Sequence, residues 1–133
     1  MEVSVSQEKI GKRPITVFKV TGDITSNTYQ EFEAKARDAF DKGMKDLIVD
    51  LADCGYVSSA GIRALNSILI MLRTDDRKES DEAMNKGIRD GTWKSPHLKL
   101  VKANKRVQEV FRIAGVDMLM DVHTTMKKAL ESF

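Results

Sequence analysis

Thiol and imidazole are scarce in this sequence: one cysteine, Cys54, and two histidines, His97 and His123, stand in 133 residues. A lone cysteine cannot close an internal disulfide and suits a reducing cytoplasm, where Cys54 reads as a small buried residue. The histidines lie at a separation that fits no metal-binding spacing, so both read as surface residues and neither a metal nor a cofactor is expected. No uninterrupted apolar stretch approaches the ~20 residues that cross a bilayer. The start, "MEVSVSQEKIGKRP", alternates and turns polar where a signal peptide would turn apolar. Direct membrane insertion is therefore not expected, and the localisation reads as cytoplasmic. One-sided charge is missing too. The 22 basic and 20 acidic side chains are intermixed, with a net charge of +2. No basic stripe is left to neutralise a run of phosphates, which excludes nucleic acid as an expected partner. A glycine-rich phosphate loop with lysine and a Gly-x-Ser-x-Gly elbow are both absent, and no acid, base or metal set converges, so nothing marks an enzyme.

What is present is a chain of ordinary globular composition, 41% apolar and 32% charged, with the length of one domain spanning residues 1–133. "VSVSQ" and "ITVFKV" alternate as half-buried strands do, and "GKRP" between them supplies Gly11 and Pro14 as turn residues. After "TGDITSN", where Ser26 or Asn27 can cap a helix, Tyr29, Phe32, Ala36, Ala39 and Phe40 form one apolar stripe that ends at Gly43. "DLIVDL" is too short for a helix and reads as a strand buried on both faces. A helix opening at Ser58–Ser59 runs to about Arg73 on a stripe of Ile62, Leu65, Leu69 and Leu72. Ile68, Ile70 and Met71 widen its apolar surface beyond what one core face needs, which serves a homodimer as readily as another partner. "HLKLVKA" reads as a strand. Asn104 caps a helix bearing Val107, Val110 and Phe111 that stops at Gly115. "MLMDV" reads as a short edge strand, and Thr124 or Thr125 caps a last helix. The order is ββαβαβαβα: an α/β fold with a mixed sheet of four to five strands packed by about four helices.

Between Arg73 and Pro96 charge is dense and apolar residues are few. This insertion, at about 74–96, reads as a solvated loop with a helical turn through "ESDEAMNKGI". Its one large aromatic, Trp93, reads as an anchor to the body, with an interface contact as the alternative.

Two adjacent serines at a strand-to-helix junction ask for a reason. One serine there is an ordinary N-cap worth roughly 1 kcal/mol. Only one can cap, however, and Gly61 in the first turn weakens the helix by about 1 kcal/mol relative to alanine, which suggests that something needs close access to that backbone. With hydrolysis and metal binding excluded, a serine that another protein modifies remains.

The segment "DLIVDLADCGYVSSAGIRAL" resembles the signature of the STAS domain family, the fold of bacterial anti-sigma factor antagonists. "VFKVTGDIT" resembles that family's second strand and turn, and "NKRVQEVFRIAGVDMLMDVHTTMKKAL" its closing elements. The resemblance covers most of the chain outside the insertion. It implies a STAS-like fold and an anti-sigma factor antagonist that binds an anti-sigma factor. That partner is also a serine kinase of the histidine-kinase-like ATPase type, and a serine phosphatase reverses its action. By position the phosphate acceptor is Ser59, with Ser58 second; Ser58 stands where many members have aspartate, and Thr25 where the sporulation member has one. The partner surface so implied comprises Ser58, Ser59, Gly61, Ile62, Arg63 and Asn66, with Thr25, Ser26 and Asn27 alongside. A phosphate would add about −1.5 to −2 charges in the middle of that surface. A penalty of ~2.8 kcal/mol would weaken docking roughly a hundredfold. The alternative within the same fold is a STAS subunit that is not phosphorylated and serves as a docking or scaffold piece of a transporter, a lipid-transfer ATPase or a stress-signalling complex.

Overall fold

A computed structural model of the chain describes residues 1–73, 86 and 94–133. Most of the charged insertion and Trp93 lie outside the described residues; of the expected helical turn only Lys86 is described, and it is helical. Strands β1 (Glu2–Ile10) and β2 (Arg13–Thr21) form the expected hairpin, antiparallel with Ile10 opposite Arg13. Its turn is shorter than the sequence suggests. Gly11, at φ +60°, and Lys12 make it alone, and Pro14 already lies in β2. Then follow α1 (Tyr29–Asp41), β3 (Leu47–Asp53), α2 (Ser59–Arg73), β4 (Leu98–Val101), α3 (Lys105–Ala114), β5 (Asp121–His123) and α4 (Met126–Glu131).

The five strands lie side by side in chain order, with β2 to β5 parallel. Each parallel step moves one place in the same direction through a crossover helix. Because such crossovers are right-handed, α1, α2 and α3 must all land on one face. That face holds the main core, where Phe18, Val49 and Leu100 from the sheet meet Phe32, Leu65 and Phe111 from the helices. Phe18 and Phe32 meet edge to face, with ring centroids 6.4 Å apart. The opposite face is covered by α4, whose Ala129 and Leu130 pack on Ile15, Val17, Ile48 and Val101. β3 is thereby buried on both sides, as its unalternating apolar run requires.

Local differences from the sequence reading have physical reasons. The residue that precedes α1 is Thr28, not Ser26 or Asn27. Its hydroxyl serves the preceding turn instead of the helix, accepting from Thr25 N (2.9 Å) and donating to Asp23 O (2.8 Å). Asn104 and Thr125 do cap α3 and α4, accepting from Val107 N and Lys128 N. β5 begins at Asp121, because Val116–Met118 winds into a 3-10 turn ahead of it. Of the extra apolar residues on α2, Ile68 is buried, Met71 is half-buried and only Ile70 is exposed.

Candidate functional site

The site is assembled where the parallel strands end. The loop after β2 is laid against the loop after β3: Ile24 N donates to Tyr56 O (3.0 Å) and Ser58 N to Ile24 O (2.9 Å). This makes a parallel bridge between Ile24 and Val57. The loop after β4 joins through Asn104, whose Nδ2 donates to Cys54 O (3.3 Å) and Gly55 O (3.2 Å). Three loops are thus fastened together, two by main-chain bonds and the third by the Asn104 side chain on main-chain carbonyls, which holds the start of α2 in a fixed place. Cys54 belongs to this scaffold. It is 1% exposed, its thiol donates to Tyr56 O (3.4 Å), and burial pushes its pKa up, so it stays a neutral, inert thiol.

The two serines divide the work. Ser58 is the cap: its carbonyl accepts from Ile62 N (2.9 Å) and its hydroxyl from Gly61 N (3.4 Å), and it is half-buried. Ser59 is the first helical residue, it is exposed, and its hydroxyl has no hydrogen bond among the described residues. Gly61 has a different reason from the one its position suggests. A Cβ there would stand 2.6 Å from Val57 Cγ1 and 2.8 Å from Ile24 O. The close approach is internal, between α2 and the loop after β2, and the buried Gly61 offers no surface for docking.

The other residues expected at the site are distributed unevenly. Ser26 and Asn27 are exposed, and half-buried Thr25 stiffens their turn by accepting from Asn27 N (3.2 Å). On α2, Ser59, Ile62, Arg63 and Asn66 share one face, at the spacing that puts successive turns in register. Arg63 is exposed. Ile62 is 8% exposed and shows only an edge. Asn66 is half-buried, and its Oδ1 is buried with no hydrogen-bond partner among the described residues.

Beside that face lies a groove of about 460 Å³ between α2 and α3, lined by Tyr56, Ser59, Ile62, Arg63, Val110 and Ile113. Ile113 is 73% exposed. The Arg106 guanidinium lies 4.4 Å from the centre of the Tyr56 ring. Sequence reasoning missed Tyr56, Arg106 and Ile113. The available signal was Ile113, an apolar residue off the core stripe of α3 and one turn from Val110.

The opposite end of the sheet is built differently. Asp46, just before β3, is 5% exposed. It accepts from Arg13 Nε and Nη2 (both 2.7 Å) and from His97 Nδ1 (2.9 Å). Burial pulls its pKa up, but the hydrogen bonds from His97 and Arg13 outweigh this and hold the carboxyl below the usual range. Nearby, the buried Lys99 pairs with Asp121 (3.1 Å), and the Phe133 ring lies 5.2 Å from the Arg13 guanidinium and 5.1 Å from Lys99 Nζ. Neither histidine is the surface residue expected. His97 is tied to Asp46, and burial lowers the pKa of the half-buried His123.

Among the described residues no group of three or more His, Cys, Asp or Glu side chains can hold a metal ion, and no helix is long and apolar enough to cross a membrane. No curated protein matches the chain significantly. Solved structures do match in fold. The Thermotoga maritima protein TM1081, described as an anti-sigma factor antagonist, superposes with a TM-score of 0.70 at 15% identity, over 96% of this chain and 92% of its own. An anti-sigma factor antagonist from Mycobacterium paratuberculosis gives 0.68 at 16% identity, over 98% and 93%. The antagonist SpoIIAA in its unphosphorylated form gives 0.67 at 15%, over 96% and 94%; the Bacillus protein in its phosphorylated form gives 0.60 at 14%, over 96% and 97%. At such identities the likeness is one of fold: among the described residues, a five-stranded mixed sheet packed by the four helices α1 to α4, as in SpoIIAA. Independently of fold, the STAS domain family matches residues 6–78, more than half of the chain, from the middle of β1 through the serine junction and past the end of α2, and to that family the chain belongs.

Proposed function

We propose that this STAS domain acts as an anti-sigma factor antagonist whose docking surface is switched by phosphorylation of Ser59. The observation that carries the reading is the division between the serines: Ser58 caps the helix, leaving one residue later, on a rigid platform, an exposed hydroxyl with no hydrogen bond among the described residues. Two further facts support it. The fold is that of proteins described as anti-sigma factor antagonists, and one of them, SpoIIAA, exists in phosphorylated and unphosphorylated forms. The partner is an anti-sigma factor that is itself a serine kinase of the histidine-kinase-like ATPase type, and the encounter takes place in the cytoplasm.

In the unmodified state the partner rests on Ser59, the exposed edge of Ile62, Arg63 and the turn Thr25–Asn27. Phosphorylation places about −1.5 to −2 charges at the start of α2, where the helix dipole favours them but a desolvated interface does not. The domain keeps its fold while the complex weakens. Incubation with the purified kinase and ATP is expected to add one phosphate, absent in Ser59→Ala. Modified protein is expected to bind the kinase roughly a hundredfold more weakly, a change of ~2.8 kcal/mol. Failure to accept phosphate, or acceptance at another residue with Ser59 untouched, overturns the proposal.

A further inference from the structure

We infer that a phosphate on Ser59 is gripped within the same chain by Arg63 and Arg106, so that modification withdraws the Arg63 guanidinium from the docking surface, and engages the neighbouring Arg106, as well as adding charge. The inference rests on Ser59 being the modified residue; what it adds is the fate of the phosphate. Arg63 lies one turn after Ser59 on the same face of α2, and both line the groove between α2 and α3. Helical side chains lean toward the N-terminus, so the long arm of Arg63 points back at residue 59. Arg106 approaches from α3, its guanidinium carbon 4.4 Å from the centre of the Tyr56 ring, which lines the same groove.

Neither arginine has a carboxylate partner among the described residues, in contrast with Arg13 and Arg112, which pair with Asp46 and Glu109. Both are therefore available to a dianion with three acceptor oxygens, the geometry that a guanidinium fork matches best. Tyr56, Ile62, Val110 and Ile113 make the floor and wall apolar, which limits competing water and strengthens a charge-assisted pair. The loop after β2 carries one carboxylate, Asp23, whose Oδ1 lies 3.0 Å from where a Cβ of Gly55 would be. It is exposed and does not line the groove, so it opposes the phosphate through solvent while the arginines hold it at hydrogen-bonding range.

The test needs no kinase. Phosphoserine is installed at position 59 during translation of the full chain, and its second ionisation is followed by phosphorus NMR across pH 4 to 8. The grip predicts a second pKa below the ordinary value of about 6, because the dianion is favoured. Arg63→Gln should raise it by about half a unit or more, a roughly threefold change in proton affinity, and Arg106→Gln by a smaller amount. Arg37→Gln, an exposed arginine on α1, controls for net charge and should leave it unmoved; amide spectra of each variant establish that the fold is intact. An unshifted phosphate, or equal shifts in all three variants, overturns the inference. If a kinase ignores Ser59 while the installed phosphate titrates as expected, the signalling reading fails and the grip stands. If the kinase modifies Ser59 but the phosphate titrates as a free one, the reverse holds.

Discussion

The two ends of the parallel strands make opposite use of polar side chains. Where β3 and β4 begin, Asp46 is enclosed by Arg13 and His97, and Lys99 pairs with Asp121 beneath the Phe133 ring. Where β2, β3 and β4 finish, the loops are joined chiefly by main-chain hydrogen bonds, and the side chains of Ser59, Arg63 and Asn27 are left to the solvent. A buried ion pair has value only when complete, and such an end tolerates little change. An end held by its backbone can keep its shape while its side chains are modified or covered. On the proposed function, stability and recognition fall at opposite ends of the same parallel strands, and ligand sites in open parallel sheets also gather beyond the carboxyl ends of the strands.

If that contrast is sound, the largest effect should come from the closed end. Asp46→Asn removes the charge that both Arg13 and His97 face; because Arg13 is 41% exposed and can recover water, the loss is roughly 2–4 kcal/mol, read as a lower urea midpoint at unchanged slope. Acid makes the same point in the parent protein. The Asp46 pKa is lower in the folded chain than its unfolded value of about 3.9, so its contribution is full above that value and is lost as pH falls through the lower folded one. The Asn variant should show a shallower loss of stability over that window. At the open end the most sensitive point is Gly61. Gly61→Ala drives a methyl against the Ile24 carbonyl, which cannot yield without disturbing its bond from Ser58 N. Overpacking of roughly 1–3 kcal/mol, offset by about 1 from better helix propensity, leaves a net loss near 1 kcal/mol. Amide shifts should concentrate at Ile24, Val57 and Ser58.

These two sites also separate what the sequence discloses from what it hides. The order of strands and helices was legible because the patterns that carry it are local: alternation in "ITVFKV", the stripe from Tyr29 to Phe40, and a caps-and-stop pattern around Val107–Phe111. The serine junction was legible for the same reason, and the likeness to the STAS signature lay in one continuous segment. Asp46 and His97 are separated by 51 positions, and no periodicity relates them; only the parallel pairing of β3 with β4 brings them together. Gly61 was noticed, but its reason lay in Ile24, on a loop that local pattern cannot place. β5 has three residues, too few for alternation to mark where it begins. Arg106 was invisible as a site residue because its partner, the Tyr56 ring, belongs to another crossover.

The smallest effects are the most informative, because they compare adjacent residues of the same kind. Ser58→Ala removes the hydroxyl that receives Gly61 N. At 3.4 Å that bond is long, so the cost falls at about 0.5–1 kcal/mol, the low end for an N-cap. Ser59→Ala removes an exposed hydroxyl that has no partner among the described residues and should shift stability by less than about 0.5 kcal/mol. In a phosphate-transfer assay the order should reverse: Ser58→Ala still accepts phosphate, at a rate lowered only as far as fraying of the first turn misplaces residue 59, whereas Ser59→Ala accepts none. Thermal unfolding and phosphate incorporation measured on the same two preparations give this crossed pattern if capping and modification belong to different serines. A single serine that dominates both measurements would mean that one residue does both jobs, and the open end would then be less independent of the fold than its backbone joints suggest.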